Sequence, residues 1–288
     1  MISTLLATVC AANDDGDMIW EQLWVHDPPS EAPPPDLFSF DDDVLELLTR
    51  MSLEEKVGQM TQVDVTQFVS YTGQCSSSSF WEDPDNCQPE ISYERLRSWL
   101  RDFKVGSVLN SPYSSGCIKG KCGWDVREWR RFVRTVQQEA AAAGVPPLLF
   151  GLDSVHGAGY VSDATMMPQQ INIAATFNRT LAYEFGRVAA KDTRAAGVPW
   201  LFSPILGLAT KPLWSRVYET FGEDPHVVTQ MGVHVVRGIQ AVAAPGGTNA
   251  NANVSGAAAA EETPHRAAAC LKHFVGYSSP KTGHDRTP

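Results

Sequence analysis

No run of apolar residues in this 288-residue chain is long enough to cross a bilayer. Basic residues are in deficit, with 23 Lys and Arg against 33 Asp and Glu, so the net charge is -10. A phosphate backbone would be repelled by that balance, which argues against nucleic acid as a partner. No C-x-x-C and no H-E-x-x-H occurs, so the common zinc spacings are missing. No G-x-G-x-x-G follows an apolar strand and no P-loop is present, which removes the usual phosphate cradles. What remains is an ordinary globular balance, 43% hydrophobic and 19% charged, and it argues against disorder.

Cysteine is scarce but patterned. Of six Cys, Cys75 and Cys87 flank "SSSSFWEDPDN", and Cys117 and Cys122 flank "IKGK". Both pairs sit in polar, loop-like sequence where a disulfide closes a local loop, with a zinc site as the rival reading. Cys270 lies in an apolar run and reads as a buried thiol. Cys10 falls in "MISTLLATVCAA", which reads either as the tail of a secretory signal cleaved near Ala11 or Ala12, or as a frayed terminus. Two sequons, at Asn178 and Asn253, permit glycosylation on the secretory route.

Residues 1–40 are polar and Pro-rich and read as leader plus linker. From Asp41 apolar residues fall at helical spacing, and Ser52 with Glu55 forms a capping-box pattern. Alternation follows. Strands are expected over 104–110, 147–153, 199–205 and 267–276, and helices over 127–143, 181–196 and 226–240. In the first of these helices Trp129, Phe132, Val133, Val136 and Ala140 share a face. Residues 241–265, rich in Ala, Gly and Asn, read as a flexible insertion. Apolar strands separated by amphipathic helices imply an α/β fold with a helix-covered parallel sheet, either doubly wound or a (β/α) barrel. In a barrel, functional residues gather where strands end. Asp153, His156, Lys272 and His273 lie at such ends, and Arg216, Glu219 and Asp224 lie in the loop after 199–205.

"GLDSVHG" (151–157), "PLWSRVYETFGEDP" (212–225) and "KHFVGYSSPKTGHDRTP" (272–288) resemble the barrel domain of family 3 glycoside hydrolases, as do "RMSLEEKVGQM" and "ATMMPQQINIAATFNRTLA". The likeness runs from residue 44 to the end and is greatest to the lysosomal-type β-glucosidases and plant β-glucan exohydrolases of that family. It implies a (β/α)8 TIM-type barrel, incomplete in this chain, over residues 41–288. It further implies hydrolysis of terminal β-D-glucosyl residues from β-glucans or β-glucosides with retention, without metal or organic cofactor, in a secreted or lysosomal or vacuolar protein. Asp153 is expected to accept hydrogen bonds from hydroxyls of the non-reducing-end glucose, with Arg216, Lys272 and His273 donating to others. Glu219 is expected to orient Arg216 or Lys272, and Asp224 to cap a helix beginning near Pro225. His156, His284, Asp285 and Arg286 are expected to shape the loops.

Retaining hydrolysis needs two carboxyl groups about 5–5.5 Å apart. In the resembled family the nucleophile is an Asp in a "VSDW"-like strand that follows the "KHF" segment. "YVSDAT" precedes it here, so Asp163 reads as a coincidence. The nucleophile and the acid/base Glu are expected beyond Pro288, no catalytic residue within the chain, and the chain alone inactive, a partial domain or a sugar-binding remnant. A β-N-acetylglucosaminidase of the same family is a further reading. That branch carries a "KHFPGHG"-like loop, from which Val275, Tyr277 and Ser278 depart.

Overall fold

The computed structural model describes residues 42–72, 87–113, 123–241, 266–273 and 277–285. The expected leader and linker, the insertion apart from Ala241, and Cys10, Cys75, Cys117, Cys122, Asn253 and Arg286 lie outside the described residues.

Among the described residues two short helices come first, α1 (Asp42–Arg50) and α2 (Leu53–Gln59). The Ser52–Glu55 capping box forms at the second: the Ser52 hydroxyl accepts from the Glu55 amide and the Glu55 carboxylate accepts from the Ser52 amide. Strand β1 (Gln62–Asp64) follows, then an antiparallel hairpin of β2 (Val69–Tyr71) and β3 (Pro89–Ile91), neither marked by sequence periodicity. Next come α3 (Tyr93–Arg101), β4 (Ser107–Leu109), α4 (Val126–Ala142), β5 (Leu149–Leu152), α5 (Gln170–Ala174), α6 (Arg179–Ala195), β6 (Trp200–Leu201), α7 (Pro225–Ile239) and β7 (Ala268–Ala269).

The main sheet has the order β1-β4-β5-β6-β7, and every neighbouring pair is parallel. That order follows the chain. A doubly wound sheet reverses its order at a switch point, whereas a barrel wall adds strands in one direction. The fold is therefore α/β of the (β/α)8 TIM-type barrel kind, and among the described residues β1 and β7 are its two edges.

Helix α4 begins where Asp125 accepts from the Arg127 and Glu128 amides, and it buries the expected face of Trp129, Phe132, Val133, Val136 and Ala140. Trp129 and Phe132 meet Phe150 of β5 edge-on, with ring centroids 6.0 and 6.1 Å apart. A second core cluster lies under α6 and α7, around Phe185, Val235, Ile239 and Leu201. These helices approach closely because Gly186 and Gly238 face backbone: a Cβ at Gly238 would lie 2.0 Å from the Tyr183 carbonyl oxygen.

The last strands are shorter than their apolar runs predict. Towards β5 the last bond of the ladder is Phe202 N to Leu152 O at 2.9 Å, and Pro204, which has no amide hydrogen, cannot donate a further one. Isolated bonds extend it instead: Cys270 N to Leu201 O at 2.9 Å, Lys272 N to Pro204 O at 3.0 Å and Leu206 N to Lys272 O at 2.8 Å. The segment from Cys270 to His273 is thereby held as an irregular extension of β7.

Candidate functional site

Parallel strands deliver their C-terminal ends to one side of the sheet, and the titratable side chains gather there. Asp153 directly follows β5. Lys272 lies just beyond β7 and forms a parallel bridge with Ile205, which lies beyond β6. The Lys272 ammonium forms an ion pair with the Asp153 carboxylate through Oδ1. The side chains are 14% exposed for Lys272 and 35% for Asp153, so the carboxylate keeps an open side. The peptide joining Lys272 to His273 is cis.

Arg216 precedes a 3-10 turn over Val217–Glu219. The turn returns Glu219 to face it, and the guanidinium donates as a fork: Nε to Oε1 at 2.6 Å and Nη2 to Oε2 at 2.7 Å. Nη1 donates to the Tyr277 hydroxyl at 3.1 Å. A guanidinium carries five N–H bonds, and these contacts use three, leaving one on each Nη for a ligand. Hydrogen bonding to Glu219 holds the Arg216 proton more tightly than usual, against the opposing pull of burial. Tyr277 is the hub of this side. Its hydroxyl donates to Asp285, and its ring meets His273 at 4.3 Å and Trp214 at 5.5 Å between centroids. A Cβ at Gly207 would lie 2.8 Å from Ser278 Cβ, so the two loops touch only because position 207 has no side chain.

His273 is half-buried between these groups. Burial, then the nearby Lys272 and Arg216 cations, push its pKa down to about 4. It is therefore neutral at ordinary pH, with one donating and one accepting nitrogen. Such a cluster of one open carboxylate, an ammonium, a guanidinium fork and a neutral imidazole suits a ligand rich in hydroxyls, because each buried hydroxyl needs a partner.

The structure thus brings together Asp153, Arg216, Glu219, Lys272, His273 and Asp285. Glu219 pairs with Arg216 and not with Lys272. Asp224 caps α7 through the His226 amide at 2.8 Å. His156 sits apart, with Nδ1 3.2 Å from the Met167 carbonyl oxygen. Asp163 lies exposed in a turn with φ 64°, outside every strand. Cys270 is a half-buried thiol whose pKa burial raises. Cys87 is buried, and its expected partner lies outside the described residues. Among the described residues no group of three or more His, Cys, Asp or Glu could hold a metal ion. Sequence reasoning missed Tyr277 and Trp214 as site residues. In sequence Tyr277 registers only as a departure from "KHFPGHG", and Trp214 as one of eight Trp.

Comparison with known proteins places the chain in a family. A family model described as the glycosyl hydrolase family 3 N terminal domain matches residues 52–288. The chain is 39% identical over 244 residues to the lysosomal beta glucosidase of Dictyostelium discoideum, covering 84% of this chain and 26% of that protein. It is 26% identical over 199 residues to the periplasmic beta-glucosidase of Salmonella typhimurium, covering 68% of this chain and 20% of that protein. Among solved structures, an exo-1,3/1,4-beta-glucanase from a Pseudoalteromonas species superposes with TM-score 0.61 at 25% identity, over 85% of this chain and 26% of that one. A beta-glucosidase from Listeria innocua in complex with isofagomine gives TM-score 0.55 at 26% identity, over 85% of this chain and 27% of that one. The chain spans about a quarter of the length of these relatives.

Proposed function

The chain belongs to glycosyl hydrolase family 3, and from that premise we propose that it holds the terminal non-reducing β-D-glucosyl unit in the hydrolysis of β-glucosides or β-glucans with retention. The observation that carries the reading is the convergence of the Asp153–Lys272 and Arg216–Glu219 pairs, with His273, at the C-terminal ends of the strands. In it, the Asp153 carboxylate accepts from glucose hydroxyls, and Lys272, His273 and the two remaining Arg216 N–H bonds donate to others. Glu219 orients the guanidinium, and Tyr277 and Asp285 steady its far side. Asp153 and Glu219 are each occupied by a cation, which suits them to positioning. We assign the nucleophile and the acid/base to residues other than these.

The lysosomal and periplasmic relatives support a secreted or lysosomal or vacuolar location. Asn178 supports it further, since its sequon lies exposed at the start of α6. Its side-chain oxygen caps the Thr180 and Leu181 amides, which leaves the amide nitrogen for a glycan.

The test is a titration of the purified chain with methyl β-D-glucoside, beside hydrolysis of p-nitrophenyl β-D-glucoside by the chain and by its Asp163→Asn variant. Saturable glucoside binding without turnover is expected. Failure to bind would overturn the reading of the site. Turnover abolished by the substitution would make Asp163 a nucleophile and overturn the assignment of roles.

A further inference from the structure

Gln170 opens α5 and is fully buried, at 0% exposure. A glutamine so placed must find partners for two N–H bonds and one carbonyl. It does: Nε2 donates to the Ile205 carbonyl at 2.9 Å and to the Glu219 carbonyl at 2.8 Å, and Oε1 accepts from the Ile205 amide at 3.1 Å.

Both partners are one step from the site. Ile205 is bridged to Lys272, and the next amide, Leu206, donates to the Lys272 carbonyl at 2.8 Å. Glu219 is the carboxylate that grips Arg216. One amide therefore ties the extended strand end that fixes Lys272 to the turn that fixes Arg216. These two cations come from loops after different strands, and no direct bond between them sets their spacing. An apolar side chain of equal size would fill the same volume and leave three backbone groups without partners.

We infer that Gln170 is a positioning residue, which sets the distance between the Lys272 ammonium and the Arg216 guanidinium. The inference rests on the glucosyl-binding reading for its functional meaning, and on the hydrogen bonds alone for its geometry.

Gln170→Ala leaves room for water to reach the three backbone groups, and Gln170→Leu does not. Two quantities are compared with the unsubstituted chain: exchange protection of the Arg216 Nε–H by nitrogen-15 NMR, and affinity for methyl β-D-glucoside. Val136→Ala, in the separate core cluster under α4, serves as the control for general loss of stability. The expected result is a Gln170→Ala protein that still melts cooperatively, exchanges the Arg216 Nε–H at least tenfold faster, and binds glucoside roughly tenfold more weakly, as is typical when an outer support of a contact layer is removed. The control should change neither. Unchanged protection in a folded Gln170→Ala or Gln170→Leu variant would overturn the inference. So would failure of both variants to fold, because Gln170 would then serve the fold at large. If the unsubstituted chain binds no glucoside, the functional reading fails, and the Nε–H comparison still decides the positioning role.

Discussion

Lys272 and Asp153, 119 positions apart in the chain, meet as an ion pair at the ends of β7 and β5. The pair is asymmetric, with the ammonium more sheltered than the carboxylate. A ligand entering from the open side meets Asp153 first, and Lys272 keeps that carboxylate in place. Asp153→Asn preserves shape and removes the charge. Hydrogen bonds to charged groups are worth about 1.5–3 kcal/mol, so glucoside affinity should fall roughly 10- to 100-fold. The melting temperature should move only slightly, because a partly exposed pair adds little to stability. Calorimetric titration and thermal melting check both, and unaltered affinity would remove Asp153 from the site.

Tyr277→Phe separates the role of the hydroxyl from that of the ring. The ring contacts with Trp214 and His273 remain, while the bonds to Arg216 and Asp285 are lost. Arg216 keeps its fork on Glu219, so the loss should be a few-fold in glucoside affinity, roughly three- to tenfold for one net hydrogen bond. Melting should be nearly unchanged. A marked fall in melting temperature with affinity intact would assign the hydroxyl to loop stability.

His273 gives the site a pH signature. Its folded pKa of about 4 lies below the ordinary value of 6.5. Between those values the unfolded chain binds a proton that the folded chain refuses, so stability rises with pH across that window. The contribution is complete above about 6.5 and is lost as pH falls through 4. Melting at pH 7, 5.5 and 4.5 should show a steeper acid loss in the unsubstituted chain than in His273→Asn. The difference between the two proteins separates His273 from carboxylates that begin to titrate at the acid end. An NMR titration of the ring should find its midpoint near 4, and a midpoint near 6.5 would mean that the ring is open to water.

The sequence displayed much of this. The stripe from Trp129 to Ala140 announced α4 because a half-buried helix repeats its apolar face every turn, and the buried face matches it residue for residue. That Asp153, Arg216, Lys272 and His273 meet at one end of the sheet was legible because three of them follow apolar strands and Arg216 lies in the loop after another, while their sugar-binding roles came from the family resemblance alone. The β2–β3 hairpin was not legible, since three-residue strands carry too little alternation to be seen. The lengths of β6 and β7 were misjudged because apolar character reports burial, and Pro204 interrupts the ladder without interrupting burial. Gln170 and Tyr277 were missed for a common reason. Gln170 reaches partners 35 and 49 positions away and Tyr277 reaches Arg216 from 61 positions away, which no local pattern encodes.

Gly238→Ala tests how closely α6 and α7 pack. In an open helix interior, alanine is favoured over glycine by about 1 kcal/mol. Here the added Cβ would lie 2.0 Å from the Tyr183 carbonyl oxygen, and backbone cannot swing aside as a flexible side chain can. Overpacking typically costs about 1–3 kcal/mol, which exceeds the propensity gain at most of that range. The net cost is about 0–2 kcal/mol, so the expected outcome is a melting temperature lower by up to roughly 8 °C, at about 2–4 °C per kcal/mol for a domain of this size. Neither helix contributes a side chain to the Asp153–Lys272 and Arg216–Glu219 cluster, yet α7 begins at Pro225, shortly after the Arg216–Glu219 turn. Glucoside affinity measured well below the melt should therefore stay within twofold if the turn is held by Gln170, and it should fall with stability if the helix pair holds the turn instead.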